Sequence, residues 1–272
     1  KVNPKIITCS ISGFGDTELN RPAYDNLIQG YAGAMSITGT DKENPVKSGI
    51  PIADLGAGLY AVIGILSAIQ SREKNDSGEH VDISMLDTQV SLLTYMATMH
   101  FLSGENPEPI GNQHMNHVPF NSYRTSDGFI QIGVVAEDFW PSLIEALDLR
   151  QLDTEENKTR IGRLKNRESI DQAIQEVFIS NSTEHWLKIL QEHRVPCGPI
   201  NTLSETFQDA DLLKRNMIVE VLQDSGASVK MPGNPVKISN HDEEFRRSPK
   251  LGEHTSKIFK DWLDKDISID QD

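Results

Sequence analysis

The sequence predicts an α/β protein with a smaller α+β unit that follows its first hundred residues. Three observations predict this fold class. Short β-rich segments alternate with helical segments up to residue 103, a stretch rich in proline and glycine spans residues 104–119, and a strand–turn–strand pattern begins at residue 120. Alternating strands and helices are typical of α/β folds, and a run of turn residues between them indicates a linker or a functional loop.

The elements before this linker are predicted from hydrophobic spacing and turn residues. The clearest is a helix after Asp54, because apolar residues at 55, 59, 62, 63, 66 and 69 fall on one stripe at helical spacing. The predicted elements are a strand over 5–12, a helix over 22–37, the helix after Asp54, a strand over 79–83 and a helix over 84–103. The turn residues at 75–78 separate the long helix from the second strand.

The elements after the linker begin with a hairpin over residues 120–135, whose turn contains the strong hairpin signal Asp127-Gly128. The remaining predictions are helices over 137–150, 167–193 and 201–215, two strands within 217–239 and a final helix that starts near 252. Pro196–Pro199 is predicted to break the pattern between the helices. Cys197 lies within this turn and is interpreted as structural.

The composition excludes several classes of function. Forty acidic residues face 26 basic ones, for a formal charge of −14, so no basic footprint for nucleic acid stands out. We count no apolar run of the ~18 residues that a membrane span needs, and we expect no membrane partner. Two separated cysteines favour a reducing compartment and disfavour a zinc site. The chain opens on Lys1 without a signal peptide, which we interpret as a fragment or a processed form.

Asp54 stands out because it is the one acid in the apolar stretch SGIPIADLGAGLYAVIGIL, residues 48–66. An aspartate before a helix is commonly an N-cap, which stabilises the helix by about 1 kcal/mol. The small residues around it would also let a ligand come close to the carboxylate and to free backbone N–H groups. A carboxylate can attack an activated carbonyl and hold the acyl group as an anhydride. The pattern leaves both roles open.

Six ordered segments carry a resemblance to a known family. They read NPKIITCSISGFG, RPAYDNLIQGYAGAMSITG, GIPIADLGAGLYAVIGILSAIQSREK, VPFNSYRTSDGFIQIGV, VPCGPINTLSETFQDADLLKRNMIVEV and LGEHTSKIF. With them the chain resembles the family III coenzyme A transferases, which include formyl-CoA, carnitine-CoA and succinyl-CoA:glutarate transferases. Members of that family carry a further N-terminal stretch that is absent here.

The resemblance implies a Rossmann-like large domain built from residues 1–106 and 200–272, with residues 107–199 forming the linker and the small domain. It further implies an interlocked homodimer and small-molecule substrates, an acyl-CoA and a free carboxylic acid. Coenzyme A would be a substrate, with no permanently bound cofactor and no metal. The cytoplasm is the expected location, with mitochondria or peroxisomes as alternatives in a eukaryote.

The resemblance also implies roles for six residues. Asp54 matches the family's nucleophile, which forms first an acyl anhydride and then a thioester with CoA. Tyr24 matches a position beside bound CoA. Two residues before it, where the best-known transferase has a lysine, this chain has Pro22, and we expect Arg21 to supply the missing positive charge to a CoA phosphate. The loop residues expected to contact the substrate are Gly111, Asn112 and Gln113.

Two rival functions stay open. The family also contains α-methylacyl-CoA racemases, in which a His is the acid/base partner of the aspartate. Tyr24 occupies that position here, and the ordinary pKa of a phenol lies far above neutrality, so transfer is favoured over racemisation. The second rival is a non-catalytic CoA-binding subunit. His114 and His117 lie three residues apart, but without a third ligand a metal site is disfavoured.

Overall fold

The structure is a computed structural model that describes residues 3–16 and 21–264. The chain divides into two compact units, Lys1–Pro199 and Ile200–Asp272, and each is described by itself. In the first unit, the buried apolar residues form two separate clusters, one drawn from residues 14–85 and the other from residues 118–195. The described part of the chain is a mixture of helices and strands, so the predicted α/β class is confirmed.

The first part of unit 1 is built around two parallel strands, β1 (Thr8–Ser12) and β2 (His80–Ser84), paired with Thr8 opposite His80. Parallel neighbours need a long crossover between them, and helices supply it here. The helices of this part are α1 (Asp25–Tyr31), α2 (Ile52–Asn75), α3 (Met85–Leu92) and α4 (Tyr95–Ser103). The α2 helix contacts β1, β2, α1 and α3, so it is the central element of this part.

Small residues let α2 approach its neighbours closely. Its buried positions are all alanine or glycine: Ala53, Gly56, Ala57, Ala61 and Ala68. A side chain at Gly56 would meet Thr88 of α3, and one at Gly64 would meet Val81 of β2. The helix ends where Asp76 takes a left-handed conformation with φ of 55°, which is a common way for a helix to stop.

Two of the helices predicted within residues 1–106 are interrupted. The predicted helix over 22–37 is α1 followed by a 3-10 turn at Ala34–Ile37, because Gly33 between them has φ of 84°. The predicted helix over 84–103 is two helices, α3 and α4, because Thr94 has φ of 50°. A β-branched residue in that conformation departs from what threonine prefers, so hydrophobic spacing gives no warning of the break.

The length of α2 corrects the statement that no apolar run is long enough to span a membrane. Its glycines and Ser67 do not interrupt the helix, so by length and composition alone it is a candidate membrane span. The core helix of a soluble protein passes the same test, and one such helix is weak evidence of a membrane protein. Of its most apolar stretch, 28% is buried. The expectation of no membrane partner stays a prediction.

The second part of unit 1 packs helices on a three-stranded antiparallel sheet. Its strands are β3 (Phe120–Arg124), β4 (Phe129–Gly133) and β5 (Cys197–Pro199), in that order. The hairpin is confirmed, and so is the break between helices at 196–199, but residues 197–199 form a strand that pairs with β4 rather than a turn. The helices are α5 (Phe139–Leu147), α6 (Arg160–Lys165), α7 (Arg167–Phe178) and α8 (Thr183–Glu192). The core includes Trp140, Ile170 and Phe178.

Unit 2 is smaller. It contains the short helices α9 (Leu203–Thr206) and α10 (Ala210–Lys214), the antiparallel hairpin of β6 (Ile218–Leu222) and β7 (Ser228–Pro232), and helix α11 (Thr255–Leu263). The predicted pair of strands and the final helix are confirmed. The predicted helix over 201–215 is two helices, the second of which is capped by the Asp209 side chain. The assignment of residues 200–272 to the same domain as residues 1–106 stays a prediction.

Candidate active site

The start of α2 presents Asp54 to solvent. The helix begins at Ile52, so Asp54 is its third residue and lies in the first turn. Pro51 occupies the N-cap position and makes no side-chain capping bond. Asp54 is exposed, and among the described residues no hydrogen bond or ion pair engages its carboxylate. The possibility that Asp54 is the N-cap is therefore wrong.

The capping bond comes instead from Asp25, the first residue of α1. Its Oδ1 accepts the backbone N–H of Ala53 at 2.9 Å, and its Oδ2 accepts from Gln29 Nε2 at 2.6 Å. Gln29 is 2% exposed, and its Oε1 accepts the backbone N–H of Ser48 at 2.9 Å. We call this chain of bonds, Ser48–Gln29–Asp25–Ala53, the Asp25 relay. It ties α1 and the segment before α2 to the residue that precedes Asp54.

Tyr24 and Arg21 lie on the chain just before α1. Tyr24 is the residue before the helix and is 73% exposed. Asp25 bonds directly to Ala53. Tyr24 is the chain neighbour of Asp25, and Asp54 is the chain neighbour of Ala53, so each lies one residue from this bond. The Arg21 guanidinium lies 4.2 Å from the ring centre of Phe14 and 4.7 Å from that of Tyr31. Phe14 and Ala53 belong to the same buried cluster.

The predicted substrate loop is anchored at both ends. Gly111, with φ of 64°, donates its backbone N–H to the carbonyl of Gly39 at 2.7 Å. Asn112 Nδ2 donates to Ser122 Oγ at 2.8 Å, and Gln113 Nε2 lies 3.5 Å from a carboxylate oxygen of Asp171. In the described part of the chain these bonds hold the loop against residues 39, 122 and 171 rather than against Asp54.

The weaker candidates have structural surroundings. The rings of His114 and His117 lie 4.7 Å apart, and burial together with His117 and Arg167 lowers the pKa of His114. The described residues include no group of three or more His, Cys, Asp or Glu side chains that could hold a metal ion. Burial raises the pKa of the Cys197 thiol, which disfavours the reactive thiolate.

Comparison with known families decides the identity. The sequence model of CoA-transferase family III matches residues 1–255. The chain belongs to CoA-transferase family III. The resemblance read from the six sequence segments is therefore confirmed.

Relatives within family III cover most of this chain but are longer. It is 31% identical over 267 residues to succinyl-CoA:glutarate CoA-transferase of Homo sapiens, spanning 97% of this chain and 61% of that protein. It is 31% identical to acetyl-CoA:oxalate CoA-transferase of Acetobacter aceti, over 96% of this chain and 68% of that protein. A crystal structure of a CAIB/BAIF family protein from Brucella suis matches with a TM-score of 0.83, 32% identity and coverage of 96% and 68%.

The sequence alone did not identify two residues of the candidate site in this family III chain, Asp25 and Gln29. Aspartate and glutamine four residues apart lie on one face of a helix and can bond there, which was a usable signal. A second signal was Pro51, which has no side-chain acceptor to cap α2. Together they indicate that the cap comes from elsewhere, but nothing in the sequence says from which element.

Proposed function

We propose that the protein is an acyl-CoA:carboxylate CoA-transferase in which Asp54 is the covalent nucleophile. The observation that carries the proposal is the state of Asp54: an exposed carboxylate without a partner among the described residues, in the first turn of a helix whose capping bond is made by Asp25. Membership of family III and relatives named CoA-transferases support it.

The position of Asp54 suits acyl transfer. A carboxylate that caps its own helix would have to break that bond before it attacked a thioester, and Asp54 has no such bond to break. Backbone N–H groups at the start of a helix favour negative charge, including the charge that develops on an oxygen during acyl transfer. Gly56 and Gly58, two and four residues after Asp54, add no side chains of their own to this end of the helix.

The reaction proceeds by carboxylate and thiolate exchange at carbonyl carbons. The Asp54 carboxylate attacks the thioester carbon of the donor acyl-CoA, and the C–S bond breaks to give an aspartyl anhydride and CoA thiolate. The thiolate attacks the aspartyl carbonyl, which leaves an aspartyl-CoA thioester and releases the donor acid. The acceptor carboxylate then displaces CoA thiolate to form a second anhydride. Attack of the thiolate on the acceptor acyl carbon frees Asp54. Water must be kept away, because both intermediates hydrolyse.

Coenzyme A would be bound next to α1. The Arg21 guanidinium is stacked on two aromatic rings, and stacking leaves its N–H donors free for a phosphate group. Tyr24, three residues further along the chain, is largely exposed. We assign these two residues to CoA, and Gly111, Asn112 and Gln113 to the acid substrate. Asn112 has a second N–H on Nδ2 that its bond to Ser122 does not use.

Trapping of the covalent intermediate tests the proposal. The purified protein is incubated with succinyl-CoA, chosen because the human relative is named for it, and then with hydroxylamine. Peptide mass spectrometry should find a hydroxamate on Asp54. The Asp54→Asn variant should give no adduct and no transfer, and it should melt within a few degrees of the wild type, because the carboxylate makes no bond in the described structure.

Asp87 provides a matched control. It is the exposed third residue of α3, as Asp54 is of α2. The Asp87→Asn variant should form the Asp54 adduct at the wild-type rate. Transfer that persists in Asp54→Asn would refute the assignment of the nucleophile. Deuterium exchange at the α carbon of a branched acyl-CoA, without a second acid, would favour the racemase instead.

The remaining features are proposed with the function. We propose a homodimer in the cytoplasm. Exposed apolar side chains along α2 support an association, because a continuous apolar surface of this kind is usually covered by protein. They are Leu55, Leu59, Val62, Ile63 and Leu66. Sedimentation velocity of the purified protein measures its oligomeric state.

A further inference from the structure

The Asp25 relay caps the start of α2, and it also acts next to Asp54. It places a carboxylate on the backbone N–H that directly precedes the proposed nucleophile in the chain. We propose that Asp25, held by Gln29, is a positioning residue for catalysis: it takes the capping role at α2 so that Asp54 stays free to react. This inference rests on the proposed function, in which Asp54 is the nucleophile.

Pro51 makes the relay necessary. An acidic residue at the third position of a helix often reaches back to the backbone N–H of the N-cap residue. Proline has no N–H, so Asp54 cannot form that bond while Pro51 is the N-cap. Proline also has no side-chain oxygen, so it cannot cap the helix itself. Without Asp25, the Ala53 N–H would have no acceptor in the described structure, and the nearest carboxylate along the chain would be Asp54.

Burial gives the relay its precision. Gln29 is almost fully buried, and both ends of its amide group are used, Nε2 to Asp25 and Oε1 to Ser48. This fixes which end of the amide faces Asp25, and the two bonds that Asp25 accepts, from Gln29 and from Ala53, together hold the orientation of its carboxylate. The buried Gln29 thus orients the carboxylate of Asp25. Small displacements of a reacting group slow an enzyme strongly, so loss of this orientation should appear in the rate of covalent chemistry.

The first test removes the Asp25 cap of α2 and compares the effect with removal of a similar cap on α8. Asp127 accepts the backbone N–H of Thr183 at 2.8 Å, at the first residue of α8, much as Asp25 accepts that of Ala53. The Asp25→Ala and Asp127→Ala variants should both melt at lower temperature. Only Asp25→Ala should slow formation of the Asp54 hydroxamate, by about tenfold or more. Its kcat should fall more than its KM rises.

The second test exchanges the donor and the acceptor inside the relay. In Asp25→Asn, the new amide nitrogen faces Gln29 Nε2, so two donors oppose each other. In Gln29→Glu, two carboxylates oppose each other. In the double variant, the introduced asparagine is able to donate to the introduced glutamate and still accept from Ala53, while that glutamate accepts from Ser48. Each single variant should therefore react slowly, and the double variant should recover most of the wild-type rate.

The outcomes separate the two proposals. Slow single variants together with a recovered double variant support a positioning role, since a loss of general stability would not be reversed by moving one charge by four residues. A wild-type protein that reacts at Asp54, together with Asp25→Ala and Asp25→Asn variants that react at the same rate, would overturn this inference alone. A wild-type protein that forms no adduct at Asp54 would overturn both.

Discussion

Two glycines on α2 should respond in opposite ways to the same substitution. Gly56 and Gly58 lie two residues apart on one helix, and alanine would add one methyl group at each. At Gly56 the new carbon would lie 2.8 Å from Thr88 Cγ2 and 3.3 Å from Leu92 Cδ1, both on the α3 side. At Gly58 it would meet no atom within 4 Å. Comparing the stabilities of the two variants therefore separates the effect of helix propensity, which both share, from the effect of packing, which only Gly56→Ala has.

The magnitudes follow from these distances. Alanine is more favourable than glycine inside a helix by about 0.8–1.0 kcal/mol, and Gly58→Ala should gain that much stability. Gly56→Ala gains the same amount but must push α2 and α3 apart, and overpacking of this kind costs about 1–3 kcal/mol. The net effect at Gly56 is a loss of up to about 2 kcal/mol. The two variants should thus differ by about 1–3 kcal/mol in the free energy of unfolding.

Urea denaturation followed by far-UV circular dichroism measures the difference, with the two variants prepared and compared side by side. Because Gly56 follows Asp54 by two residues, the displacement should also slow formation of the Asp54 hydroxamate in Gly56→Ala. A Gly56→Ala protein at least as stable as Gly58→Ala would refute the close packing of α2 on α3.

Two further predictions concern the second part of unit 1. Burial raises the pKa of the Asp171 carboxyl above its ordinary value, although the hydrogen bond from Tyr123 opposes this. The native state therefore holds that proton more tightly than the unfolded chain, so this contribution is complete below a pH of about 3.9 and is lost as the pH rises through the native pKa. Relative to Asp171→Asn, the melting temperature of the wild type should fall as the pH rises from 4 towards 7, and a constant difference would contradict the assignment. Arg163 is 1% exposed and donates to the carbonyls of Val118 and Asn157. Arg163→Leu should destabilise the protein by about 2–6 kcal/mol in the same urea assay, because each of the two buried acceptors left without a donor costs about 1–3 kcal/mol.

Much of the fold could be predicted from local patterns. The helix after Asp54 followed from apolar spacing, and the hairpin of β3 and β4 followed from Asp127-Gly128, because both signals act between residues close in the chain. The break at Thr94 and the strand at Cys197–Pro199 were missed. The first depends on one unusual φ angle, and the second depends on pairing with a strand more than sixty residues earlier in the chain. Neither leaves a local signal.

In the candidate site, too, local features could be predicted from the sequence and contacts between distant residues could not. Asp54 was identified from its apolar surroundings and from the family resemblance, but its place within the helix was misjudged by the cap interpretation. A single sequence shows that an aspartate lies near a helix start; it does not show that a second aspartate, 29 residues earlier, already occupies that role. Capping by a distant side chain is a tertiary contact, and only the packing of α1 against α2 reveals it.

Pro51 has a consequence for protein engineering. Serine or aspartate at a helix start is among the first changes that a stabilisation campaign would try, and it usually helps. At this position the same change would restore a backbone N–H within reach of the third residue, and that residue is Asp54. The more robust helix would then compete with the substrate for the carboxylate. A library selected for heat tolerance alone should therefore drift towards well-folded, slow enzymes at residue 51.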